Sequence, residues 1–171
     1  MMKKIASLVF LSLSMATAHT SAALEAGKEV IVKLTVQKVQ RQKDGSEILG
    51  KADAAPGDTV QYQVLYANEG KAAVHQLLAT LPIPAPNMEY LPGSSSPPNP
   101  EASIDGKTFG AMPLKREVVA SDGSRRWESV PVADYRFLRW QVGELPAGKS
   151  FTVSARMKLT KDPEPGQAGK P

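Results

Sequence analysis

Histidine and cysteine carry much of protein nucleophilic and transition-metal chemistry, and this chain has two of the first and none of the second. A Ser-His-Asp or Cys-His system needs an imidazole within reach of its nucleophile, and only His19 and His75 exist to supply one. His75 lies between Val74 and Gln76 in a strand-like stretch, where an exposed or hydrogen-bonded structural histidine is expected. Zinc sites draw mainly on His and Cys, so no zinc centre is expected. Calcium needs clustered oxygen ligands, whereas Asp44, Asp53, Asp58, Asp105 and Asp122 stand singly in turn-forming surroundings. No G-x-S-x-G, P-loop or dinucleotide G-x-G-x-x-G occurs, and no local carboxylate pair suggests glycoside hydrolysis. The expectation is a non-enzyme with no catalytic, cofactor or metal residue; a carboxylate-based hydrolase is the least favoured alternative.

One constellation could bind rather than react. Between Lys107 and Arg139 stand seven basic residues (Lys107, Lys115, Arg116, Arg125, Arg126, Arg136 and Arg139) against four acidic ones (Glu117, Asp122, Glu128 and Asp134). Residues 69–106 carry Lys71 alone against Glu69, Glu89, Glu101 and Asp105. The basic segment also holds Trp127, Tyr135 and Phe137, and arginine with aromatics is what partner-binding patches enrich. Arg125, Arg126, Trp127, Tyr135 and Phe137 are therefore the candidate partner-binding residues. The competing reading is a solvated hairpin whose Trp127 covers a sheet edge. Tyr135 and Phe137 fall on the face opposite Leu138 and Trp140, so they either pack under the surrounding segment or face a partner.

Those residues need an environment, and the start of the chain supplies one. Met1-Met2-Lys3-Lys4, the apolar run Ile5–Met15 and the small residues Ala16–Ala23 make the pattern of a secretory signal peptide. Cleavage after Ala18 or after Ala23 fits, with Ala23 preferred because the polar Glu25-Ala26-Gly27-Lys28 follows. The run is too short for a stable membrane anchor, and no other stretch is long and apolar enough to span. The chain is expected to be exported to the periplasm or the extracellular medium. Its net charge of +4 includes Lys3 and Lys4; without them the 21 basic residues fall to 19 against 17 acidic ones. Nucleic acid is accordingly not an expected partner. With no disulfide available, a mature chain of roughly 150 residues must hold together through its core, which that size allows.

Alternation predicts the strands. Val30, Val32, Leu34 and Val36 share one face of a half-buried strand; Val60, Tyr62, Val64 and Tyr66 share another. Ala73–Leu81 reads as a third strand, where Leu77-Leu78 breaks the alternation and marks either a bulge or burial on both sides. Pro82, Pro84 and Pro86 stop it. Met88–Leu91 and Ala102–Ile104 are short strands. Arg116–Ala120 and Arg125–Val130 form a hairpin closed by Asp122-Gly123. Leu138, Trp140 and Val142 point into the core, and Phe151, Val153, Ala155, Met157 and Leu159 form the most regular alternation in the chain. Seven or more strands with frequent Gly/Pro turns and no helical period predict an all-β, two-sheet β-sandwich over 24–159. It carries a hairpin-bearing insertion at about 93–135, and a disordered tail is expected over 160–171. A closed barrel is the alternative architecture.

Three stretches in order carry a resemblance. Pro56-Gly57-Asp58-Thr59-Val60-Gln61-Tyr62 with Asn68-Glu69-Gly70, then Leu81-Pro82-Ile83-Pro84 leading to Tyr90-Leu91-Pro92-Gly93-Ser94, then Leu138-Arg139-Trp140 with Leu145-Pro146-Ala147-Gly148-Lys149-Ser150, resemble the conserved-repeat domain of bacterial surface and secreted proteins. The match spans roughly 55–159. It implies an immunoglobulin-like sandwich, usually a structural or adhesive module, and carries over no catalytic residue. The chain departs from many relatives in its single copy and long insertion. The leading expectation is a non-catalytic, exported binding or assembly module engaging a protein partner. A glycan- or envelope-polymer-binding module, stacking sugars on Trp127, Tyr135 or Phe137, is the alternative.

Overall fold

The computed structural model describes residues 30–160; the expected signal peptide at 1–23 and nearly all of the expected tail lie outside the described residues. Within them the chain is all-β. Its strands are β1 (Val30–Arg41), β2 (Glu47–Gly50), β3 (Thr59–Asn68), β4 (Val74–Pro82), β5 (Met88–Tyr90), β6 (Glu101–Ser103), β7 (Lys115–Val119), β8 (Arg125–Ser129), β9 (Phe137–Leu145) and β10 (Ser150–Leu159), with a short 3-10 turn at Val132–Asp134. Among the described residues no helix is long and apolar enough to cross a membrane.

Antiparallel pairing gives a five-stranded sheet, β2-β1-β3-β10-β5, a three-stranded sheet, β4-β9-β6, and the separate ribbon β7-β8. The two larger sheets enclose the core, an arrangement consistent with a β-sandwich. Alternation decides which side chains enter it: Val60, Val64 and Tyr66 from β3, Ala79 and Leu81 from β4, Leu138 and Trp140 from β9, and Val153, Ala155 and Met157 from β10 are all buried. β10, the most regular strand in sequence, lies between β3 and β5 in the wider sheet.

The sheets differ in width, and this corrects the reading of β1. Val32 and Leu34 pair with Tyr66 and Val64 of β3 and point to the core side as expected. They nevertheless stay 56% and 51% exposed, because the three-stranded sheet does not extend over β1. The bulge expected at Leu77-Leu78 is present as register shifts against β9. Leu78 turns outward and is exposed, so of the two explanations burial on both sides is excluded. Within the expected insertion at about 93–135, β6 pairs with β9 as part of the three-stranded sheet, and the stretch from Ile104 to Asp134 contributes no strand to either large sheet.

Two buried polar devices fix the frame. Asn68, 1% exposed, ends β3 and donates from Nδ2 to the carbonyls of Ala72 at 2.8 Å and Leu145 at 2.9 Å, while its Oδ1 accepts from Gly70 N–H at 3.0 Å. One side chain thus closes the β3-β4 turn and ties it to the end of β9. Tyr66 caps the outer edge of β4: its hydroxyl accepts from Thr80 N–H at 2.9 Å and donates to Thr80 C=O at 3.0 Å. Pro82, which has no N–H, ends the same edge, so β4 is a poor template for a further strand.

Candidate functional site

The hairpin expected around Asp122-Gly123 stands away from both sheets as β7-β8. Ala120 N–H donates to Ser124 C=O and Gly123 N–H to Ala120 C=O, a three-residue loop in which Gly123 takes φ 82°. Asp122 Oδ1 accepts the Ser124 N–H at 2.9 Å and hydroxyl at 2.7 Å; these bonds, the hydroxyl's first, hold the carboxyl below the usual aspartate range. The β1-β2 hairpin uses the same Asp-Gly-Ser device. There Asp44 accepts from Ser46 at 2.9 and 2.7 Å, and Gly45 takes φ 84°.

Register then sorts the side chains. Lys115 opposes Ser129, Glu117 opposes Trp127 and Val119 opposes Arg125, so these six share one face. The other face carries Arg116 opposite Glu128 and Val118 opposite Arg126. Val118 and Glu128 are half-buried, which turns that second face toward the body. On the first face Trp127 is 69% and Val119 67% exposed. Glu117 lies between them, 3.4 Å from the Arg125 guanidinium.

The five candidate residues therefore separate. Arg125 and Trp127 come together on the outer face. Arg126 lies on the opposite face, paired with Glu128 at 2.8 Å. Tyr135 is 1% exposed, and its hydroxyl accepts the Leu114 N–H at 2.9 Å, so it anchors the base of the ribbon and does not reach a partner. Phe137 is half-buried against the turn at Gly106, where an added Cβ would come within 2.9 Å of its ring. The physical reason is the bond from Arg136 N–H to Ser103 C=O, which draws 135–137 beneath the 103–110 loop. Trp127 does not cover a sheet edge; Trp140 is in the core, donating Nε1–H to Pro97 C=O at 2.7 Å.

Sequence reasoning missed Val119. Its signal was available: once Asp122-Gly123 sets the loop, Val119 is the strand residue diagonal to Trp127. Also missed was a cleft of about 530 Å³ at the ribbon's base, lined mainly by Ile104, Phe109, Ala111, Pro113, Leu114 and Val130, with Lys115 and Arg116 at its margin. It is assembled from residues up to 26 positions apart and had no local pattern.

Among the described residues no three His, Cys, Asp or Glu side chains gather into a metal-holding group. His75 is exposed, 3.6 Å from Glu144. Asp105 spends its Oδ1 on Ser103 Oγ–H, Lys107 N–H and Thr108 N–H at 2.8–2.9 Å; the two backbone bonds, then the hydroxyl, hold its carboxyl below the usual range. These groups order turns, and what the ribbon and cleft offer is apolar surface with cations beside it. No protein-family model, curated protein or solved structure matches this chain.

Proposed function

We propose that this chain is an exported, non-catalytic binding or assembly module of the bacterial envelope, with an immunoglobulin-like body that presents the β7-β8 ribbon to a protein partner. The observation that carries the reading is the pairing of Trp127 and Val119 on one outward face, each more than two-thirds exposed. A tryptophan left in water on a two-stranded ribbon adds little to folding, and a desolvated Trp beside Arg is where binding energy concentrates. Val119 lies on the diagonal from Trp127, with the Arg125–Glu117 ion pair on the crossing diagonal, so the face sets apolar side chains beside arginine, the mixture that protein interfaces enrich.

The test is site-specific photo-crosslinking in cells of the tagged protein, with the reactive group at position 119 or 127 and, as control, at Thr152 on the outer face of β10. A reproducible protein adduct from 119 and 127 and none from 152 is expected. Trp127→Ala should abolish the adduct formed from 119 while leaving the melting temperature unchanged. Absence of any protein adduct, together with glycan retention that disappears in Trp127→Ala, would overturn the protein-partner reading in favour of the glycan one.

A further inference from the structure

The cleft at the base of the ribbon has a braced wall, a largely apolar lining and two cations that form no ion pair among the described residues. Its Phe109 wall is held by Arg139, whose guanidinium carbon lies 3.8 Å from the ring centroid. Arg139 is itself fixed on Glu101 by Nε–H and Nη2–H donations at 3.0 and 2.7 Å. The floor is set by Leu114, which donates its N–H to the Tyr135 hydroxyl at 2.9 Å and accepts from Val130 N–H at 2.8 Å. At about 530 Å³ the cleft falls in the size range of formed ligand sites, and a prebuilt wall reduces the ordering cost of binding.

Charge indicates what fits. Among the described residues the ribbon's Arg125 and Arg126 pair with Glu117 and Glu128, and Arg139 pairs with Glu101. Lys115 and Arg116, the two cations at the cleft, make no ion pair among the described residues. Asp105, also in the lining, stays ionised with its Oδ1 turned into its own loop, so Lys115 and Arg116 leave the cleft with a net positive charge. Lys115 also belongs to the ribbon face that carries Trp127 and Val119, so a partner chain that meets that face has a cation of the cleft beside it.

We infer that the cleft receives an acidic, extended peptide segment of the partner protein, an apolar side chain entering between Ile104, Phe109 and Leu114 while neighbouring carboxylates meet Lys115 and Arg116. This rests on the protein-partner reading of the ribbon and adds to it the chemistry of the partner. Two fluorescein-labelled eight-residue peptides with the same Leu-Phe centre, one flanked by Asp and Glu and one by Lys, provide the probe, read by anisotropy and by amide shifts of the labelled protein. The acidic peptide should bind and shift amides of residues 104–116 and Val130, with affinity falling as salt rises. The Lys-flanked peptide should bind at least tenfold more weakly. Lys115→Glu with Arg116→Glu should cost the acidic peptide tenfold or more. Ile104→Asp, at a position 47% exposed, should do the same with an unchanged melting temperature.

Equal binding of both peptides, or binding of neither, overturns the inference. Tighter saturation of the same amides by dodecanoate than by peptide would overturn it too, assigning the cleft to a lipid-like acid. The in-cell crosslink separates the two readings. If the crosslink from 119 survives the Lys115/Arg116 reversal and is lost only in Trp127→Ala, the cleft inference fails and the ribbon reading stands. If neither change affects the crosslink, the ribbon reading itself fails.

Discussion

Replacing Asn68 tests whether one buried amide holds the turn between the two sheets. The side chain is 1% exposed and makes three hydrogen bonds of 2.8, 2.9 and 3.0 Å to backbone groups of Ala72, Leu145 and Gly70. At a net of about 1 kcal/mol each, Asn68→Ala removes about 3 kcal/mol, with two carbonyls and one N–H left seeking partners. For a folded unit of this size that is a fall in melting temperature of about 10 °C. Asn68→Asp sharpens the test. A carboxylate can still accept from Gly70 N–H, but it cannot donate to Ala72 C=O or Leu145 C=O, and it would be buried facing both. Its folded pKa must then lie above the unfolded aspartate value. A raised carboxyl pKa means the folded state binds the proton more tightly, so Asn68→Asp should gain stability relative to its parent as pH falls from 7 toward about 4.5. Urea unfolding at several pH values, followed through buried Trp140, reads both effects. A cost below about 1 kcal/mol for Asn68→Ala, or an Asn68→Asp curve parallel to the parent's across that pH range, would refute the reasoning.

Two further outcomes follow from the same geometry. Tyr66→Phe should cost about 1–2 kcal/mol, because both edge groups of Thr80 lose their partner; Thr80 amide exchange should accelerate selectively, and Tyr62→Phe, whose hydroxyl makes no hydrogen bond among the described residues, should change neither. The carboxyls of Asp44, Asp58, Asp105 and Asp122 all lie below the ordinary aspartate value in the folded protein, chiefly through hydrogen bonds from Ser46, Lys38, Thr108 and Ser124 respectively. Their stabilisation is present above that value and lost as pH falls through the lower folded values, so the urea midpoint should be level near neutrality and decline below about pH 4. Asp44→Ala with Asp122→Ala should flatten that decline; an unchanged acid limb would show that these turns contribute nothing to it.

The body was legible because its signals are local. β3 and β10 alternate in sequence, and of the residues expected inward Val60, Val64, Tyr66, Val153, Ala155 and Met157 are buried while Tyr62, Phe151 and Leu159 are half-buried. The ribbon was legible through Asp122-Gly123, whose turn chemistry needs nothing beyond five residues. Sheet membership was not. Whether Val32 and Leu34 are covered depends on the width of the opposing sheet, a property of strands 40 to 110 residues away. β2 was missed because Glu47–Gly50 is too short to show a period. In the candidate site, alternation put Trp127 and Arg125 on one face, yet it could not reveal that Tyr135 turns inward. That outcome depends on a bond between Arg136 and Ser103, thirty-three positions apart. The cleft depends on the same tertiary closure.

The position of β10 has a consequence for how the chain can become folded at all. Residues 150–159 form the strand between β3 and β5, and Val153, Ala155 and Met157 are wholly withdrawn from solvent. A ribosome releases them after every other strand. Until Leu159 has emerged, β3 is left with one unpaired edge, β5 has no sheet to join, and the apolar side chains of β9 face no completed layer. Completion of the wider sheet is thus deferred until β10 is available, and until then β3 keeps an open edge exposed to edge-to-edge association. A ribosome that stalls anywhere before residue 150 would release not a smaller domain but a sheet without the strand that joins β5 to β3.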